Sequence, residues 1–194
     1  MLTNLLEINI NRFYRIIVIL LISSCATNHG TTTTIVGGEY DETKDETSYF
    51  VFPYGSASVP GEWIKTSYNH VSKQQFFRNN DSVYISIAFN PYNKFEFNLD
   101  GSKKGYDFVE AYYEWDSKYF VETFGLKRLK IESDTAKNYM MFKIFGKADS
   151  TNFNTYFLAG VEEGKVSHFT ISATDLWSEE KKIDFLKVLY SKEE

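Results

Sequence analysis

Apolar and polar side chains alternate through Ser82 to Asn90: Val83, Ile85, Ile87 and Phe89 point one way, Tyr84, Ser86 and Ala88 the other. A period of two is the mark of a strand with one face in a core. Asn79-Asn80-Asp81 before it is a turn signal, so Gln74 to Arg78 is expected to pair with it as a hairpin arm. Trp63 to Tyr68 predicts a further strand. Lys94 to Leu99 alternates again, with Phe95, Phe97 and Leu99 inward, and stops at Asp100-Gly101.

The period then changes. From Tyr106 to Phe124, the residues Val109, Tyr112, Tyr113, Tyr119, Phe120 and Phe124 fall mainly on one helical stripe, with Trp115 at its margin. Asp107 and Glu110 suit the positive end of the helix dipole, and Gly125 suits its stop. Strands are expected again at Leu129 to Ser133, Tyr139 to Phe145 and Thr155 to Val161. The last pairs with Val166 to Ala173 across Glu162-Glu163-Gly164-Lys165. A closing helix runs from an N-cap at Ser178 to about Tyr190, with Ile183, Leu186 and Leu189 toward the sheet. Hairpins dominate, and two amphipathic helices need an apolar surface to cover. The pattern therefore predicts an α+β domain, a mainly antiparallel central sheet covered by a long middle helix and a C-terminal helix.

Residues 1–24 stand outside that pattern. Arg12 and Arg15 precede the apolar run Ile16 to Ile22, and Ser23, Ser24 and Cys25 follow. A basic flank, a short apolar core and small residues make a secretory signal, too short to span a bilayer stably. Residues 26–48 hold Thr31 to Thr34, paired Gly37-Gly38 and an acidic stretch from Glu39 to Glu46. This composition predicts a disordered spacer with an end-to-end distance of roughly 26 Å, leaving a single globular domain at 49–194.

Composition narrows the function. The 194 residues carry a net charge of −5 and a single cysteine. That excludes a disulfide scaffold and a cysteine zinc site, and gives no electrostatic reason to expect nucleic acid. Aromatics are abundant, with 17 Phe, 14 Tyr and 3 Trp. No phosphate loop, nucleophile elbow or zinc constellation is present. Ile35-Val36-Gly37-Gly38 matches the activated amino terminus of trypsin-like proteases, but no Ser or His context of that family accompanies it. The histidines His29, His70 and His168 lack partners at ligand spacing, so no metal or other cofactor is expected. Glu110 and Glu114 share a helical face and read as solvated. Asp175, Glu179 and Glu180 belong to the start of the last helix. Trp63, after Pro60-Gly61-Glu62, and Trp177, between a strand and a helix, lie at loop edges. There they either pack at the margin of the core or contact a ligand or partner, since flat aromatics stack on sugars and anchor interfaces.

Two resemblances add to this. Ile22-Ser23-Ser24-Cys25 resembles the lipobox of bacterial lipoproteins. In that family the cysteine sulfur takes a diacylglyceryl group, cleavage occurs just before it, and the new amine is acylated, commonly with palmitate. The resemblance implies lipidation of Cys25 and anchoring in a cell envelope, and Ala26 after it implies the outer membrane. The order of elements over about residues 50 to 192 resembles the PsbP-like α/β/α sandwich. The features are Trp63, the hairpin Asn154 to Thr174, Thr170-Ile171-Ser172-Ala173, Trp177 and Val188-Leu189-Tyr190-Ser191. That resemblance implies partner binding without enzymatic activity. Together they give the expectation of a lipid-anchored binding or assembly module for an envelope protein. The alternative is a glycan- or small-ligand-binding lipoprotein using exposed aromatics.

Overall fold

A computed structural model describes residues 33–172 and 174–191. The segment 1–24 expected as a signal and Cys25 lie outside the described residues. The described residues from Thr34 onward form a compact unit. Among the described residues it contains eleven strands and two α-helices. These are β1 (Ile35–Gly37), β2 (Tyr40–Asp41), β3 (Glu46–Phe52), β4 (Gly55–Pro60), β5 (Ile64–Asn69), β6 (Gln74–Arg78), β7 (Tyr84–Pro91), α1 (Gly105–Phe124), β8 (Lys127–Asp134), β9 (Tyr139–Ala148), β10 (Thr151–Glu162), β11 (Lys165–Ile171) and α2 (Glu179–Ser191).

Hairpin-forming patterns give the main sheet, with seven strands in the order β5-β6-β7-β11-β10-β9-β8, every pair antiparallel. Glu162 pairs with Lys165 across a two-residue turn. Both turn residues take positive φ (Glu163 47°, Gly164 78°), the backbone that matches strand twist and that glycine adopts freely. The stripe Val83, Ile85, Ile87, Phe89 is fully buried, as expected. Ser86 and Ala88 on the opposite face are buried too, because both faces of the sheet are covered.

One face carries α1, whose Phe108, Val109, Tyr112 and Tyr113 meet Phe142, Ile144, Phe157 and Val166. The helix ends where expected: Gly125 takes the left-handed conformation (φ 66°) and its N–H donates to the Val121 carbonyl at 3.0 Å. The other face carries α2 and a small sheet in which β3 pairs with β1, β2 and β4. Tyr49, Val51, Ala57 and Val59 of the small sheet and Leu186 and Leu189 of α2 join Ile85, Ile87, Phe169 and Ile171 in one core. Ser178 caps α2 as its sequence predicts, accepting from the Lys181 N–H at 3.2 Å. The chain is α+β, with a mainly antiparallel sheet between helical layers.

Three expectations are corrected. The spacer foreseen at 26–48 is ordered from Ile35 onward and belongs to the domain. Its polar side chains are used locally: Asp41 Oδ1 accepts from the Thr43 hydroxyl at 2.6 Å, Tyr40 donates to Asp45 at 2.8 Å, and buried Thr47 donates to the Gly61 carbonyl at 2.8 Å. Lys94 to Leu99 is not a strand but two 3₁₀ turns, Tyr92–Lys94 and Glu96–Asn98. Buried Asn98 closes the loop, donating to the carbonyls of Tyr92 and Lys103 (both 3.1 Å) and accepting from the Lys103 N–H at 2.8 Å. Phe95 and Phe97 then pack on α1, and Leu99 is exposed. Tyr119 and Phe124, foreseen in the core stripe of α1, stand largely in solvent.

Candidate partner-binding surface

The two tryptophans singled out at loop edges are core residues. Trp63 retains 5% of its surface and Trp177 7%, and their rings meet edge to face at 6.2 Å. Phe185 of α2 contacts both, at 5.6 and 5.0 Å. The Trp63 indole donates to the Pro60 carbonyl at 2.9 Å, so its polar atom is satisfied within the fold. Neither can serve as an open stacking platform. Glu110 and Glu114 pair instead with Lys130 (3.6 Å) and Arg128 (2.8 Å) of β8. Exposed carboxylates matched by cations form a solvated face rather than an acid/base pair. His29 lies outside the described residues, and His70 is exposed beside Tyr68. Among the described residues no group of three or more His, Cys, Asp or Glu is placed to hold a metal ion.

The exposed aromatics lie elsewhere, on α1 at the margins of its buried stripe. Trp115 retains 38%, Tyr119 57% and Phe124 41% of their surface. Trp115 and Tyr119 are one turn apart. Each stands on further rings: Trp115 on Phe95 (5.8 Å), Phe97 (5.7 Å) and Tyr112 (5.8 Å), and Tyr119 against Phe120 (5.5 Å) and Phe124 (5.7 Å). Phe124 stacks on Phe153 at 6.5 Å. Trp115 and Tyr119 therefore form a short aromatic ridge, with Trp115 backed by three other rings, while Phe124, nine positions from Trp115, lies about half a turn round the helix. The Lys118–Glu122 pair at 3.6 Å and the Arg128–Glu114 pair lie on the same helix and its neighbouring strand, giving charged margins. Helical periodicity assigned Tyr119 and Phe124 to the core because a stripe of aromatics looks the same whether it meets a sheet or projects beyond it.

A second apolar surface lies on the outer side of the small sheet. Ile35 pairs with Phe52, and the Phe50 ring lies over Gly37. Ile35 (56%) and Phe52 (62%) are open to solvent. Together with Pro53, Tyr54, Glu162 and Lys165 they line a cleft of about 790 Å³.

Between α1 and the main sheet lies a buried polar cluster. The Ser86 and Thr170 hydroxyls share a hydrogen bond of 2.6 Å, and the Gln74 amide lies 3.2 Å from His168 Nδ1. The His168 ring packs against Tyr112 and Phe157, and its Nε2 has no partner. Burial lowers its pKa to about 4. Asp116, a turn beyond Tyr112, turns its carboxylate inward; Oδ2 is sealed and unpartnered, and burial raises its pKa to about 7.

No family model matches the chain, and neither does any curated protein. Among solved structures the chain is similar to the solution structure of cyanobacterial PsbP (CyanoP) from Synechocystis sp. PCC 6803. The TM-score is 0.44 and the identity 12%, over 87% of this chain and 97% of that one.

Proposed function

We propose that this is a lipid-anchored protein of a bacterial cell envelope, held in the outer membrane by acyl chains on Cys25. Its α+β domain acts as a non-enzymatic binding or assembly module for a protein partner. The observation that carries the binding role is the ridge of Trp115 and Tyr119. Interfaces draw their energy from a few buried aromatics held in place before contact and ringed by polar groups. The ridge has that composition. It is borne by a helix rather than sunk in a cavity, which suits a protein better than a small ligand, whose sites are concave. The glycan-binding alternative leaned chiefly on Trp63 and Trp177 as exposed aromatics, and their burial takes away its main support.

Affinity purification from envelope extracts of the source bacterium tests the reading. The wild-type chain is expected to return one stoichiometric protein. Trp115→Ala and Tyr119→Ala are each expected to cut that recovery by about tenfold or more, with the melting temperature nearly unchanged for Tyr119→Ala and lowered for Trp115→Ala, which also loses its packing on Phe95, Phe97 and Tyr112. Equal recovery with both variants would remove the ridge from the account. A shift in tryptophan fluorescence on titration with glycans, abolished by Trp115→Ala, would favour the alternative.

A further inference from the structure

The sequence of β3 grades from water-seeking to apolar along one face. Its outward positions are Glu46, Ser48, Phe50 and Phe52, and the intervening Thr47, Tyr49 and Val51 are buried. On the paired strands, Ser58 lies beside Ser48 and donates to Glu46 at 2.5 Å, Ser56 lies beside Phe50, and Ile35 flanks Phe52. One end of this small sheet is therefore acidic and hydroxylated, and the other end is an uncharged cap of Ile35, Phe50 and Phe52.

β1 is also the first strand after Cys25. Nine residues separate Cys25 from Ile35, ten steps of chain. Even fully extended, that length of chain spans no more than about 35 Å. Acyl chains on Cys25 would thus hold β1 within a bilayer's thickness of the lipid surface. We infer that the Ile35–Phe50–Phe52 cap is a lipid-contact surface, seated in the interfacial region of the membrane that holds the anchor. This rests on the lipidation of Cys25 proposed above. Apolar rings at the tip and carboxylates and hydroxyls behind them are what an interfacial element needs: the tip enters the headgroup boundary and the polar end stays wet. Glu162 and Glu163 on the far wall of the adjoining cleft, against Lys165, give no attraction to anionic lipid. The expected surface is therefore zwitterionic.

The test uses the full acylated chain in phosphatidylcholine vesicles, with one nitroxide placed through Phe52→Cys, Ile35→Cys or Asp81→Cys. Cys25 is the sole native cysteine and its sulfur is blocked by the lipid, so each label is unique. Asp81 lies in the β6–β7 turn. The register of β7 against β11 puts it at the opposite end of the sheet from the Glu162–Lys165 turn. Labels at 52 and 35 are expected to lose accessibility to a water-soluble nickel complex several-fold and to gain it toward oxygen, whereas the label at 81 stays in water. Having two exposed positions keeps the test decisive if one variant fails to fold. If the protein floats with vesicles but labels at 35 and 52 behave like the one at 81, the inference is overturned and the anchor stands. If the acylated protein does not float at all, both fall together.

Discussion

Asp116→Asn is expected to raise stability above pH 7 by up to about 4 kcal/mol and to leave it unchanged near pH 3.5. The folded state raises the Asp116 pKa from 3.8 to about 7 by burying the carboxylate with Oδ2 unpartnered. The folded chain therefore holds this proton more tightly than the unfolded chain. Its contribution to stability is full below pH 3.8 and is lost as pH rises to 7, at about 1.36 kcal/mol per unit. His168 has the opposite sign. Its pKa falls from 6.5 to about 4, so the stability of the neutral buried ring is present above 6.5 and is lost as pH falls through 4.

Between pH 4 and 6.5 the two slopes oppose each other, and the wild-type protein is expected to show little pH dependence there. Each substitution then reveals the other group. Asp116→Asn becomes acid-labile over that window, with stability rising toward pH 6.5. His168→Gln does the reverse, with stability falling as pH rises. Urea titrations at half-unit steps from pH 4 to 8 check this. Parallel curves for all three proteins would show that neither group is buried as described.

The second large effect concerns the indole pair. Trp177→Ala and Trp63→Ala are each expected to cost about 3–5 kcal/mol, because each removes a large side chain from the junction of the small sheet, α2 and the main sheet. The double substitution should cost less than the sum, by about 1 kcal/mol, for the edge-to-face contact that either single change already destroys. Denaturant unfolding of the three variants measures both quantities. A loss below about 1 kcal/mol for either single change, with a fully additive double, would mean that the indoles are surface groups after all.

How far the sequence could lead is clear from these same residues. The alternation of Val83, Ile85, Ile87 and Phe89 gave β7, and Ser178 and Gly125 marked helix ends, because these signals are local. Phe95 and Phe97 alternate as cleanly, yet the chain turns there: the hydrogen bonds of Asn98 to Tyr92 and Lys103 outweigh the pattern. Trp63 and Trp177 meet across 114 positions, a contact no window of sequence contains. The region from Ile35 to Glu46 reads as spacer by composition, yet Ile35–Gly37 pairs with Phe50–Phe52 and Tyr40–Asp41 with Glu46–Thr47, because β3 supplies the pairing edge. The ridge on α1 was half legible: its aromatics were visible, but how far the sheet extends beneath them was not.

The proposed anchor at Cys25 would connect the proposed binding ridge and lipid-contact cap to a membrane, and mass spectrometry of the mature amino terminus tests it directly. The polypeptide recovered from bacterial membranes is expected to begin at Cys25, heavier by a diacylglyceryl group and an amide-linked fatty acid. A mature chain that retains residues 1–24, or one that carries an unmodified Cys25 thiol, would contradict the account.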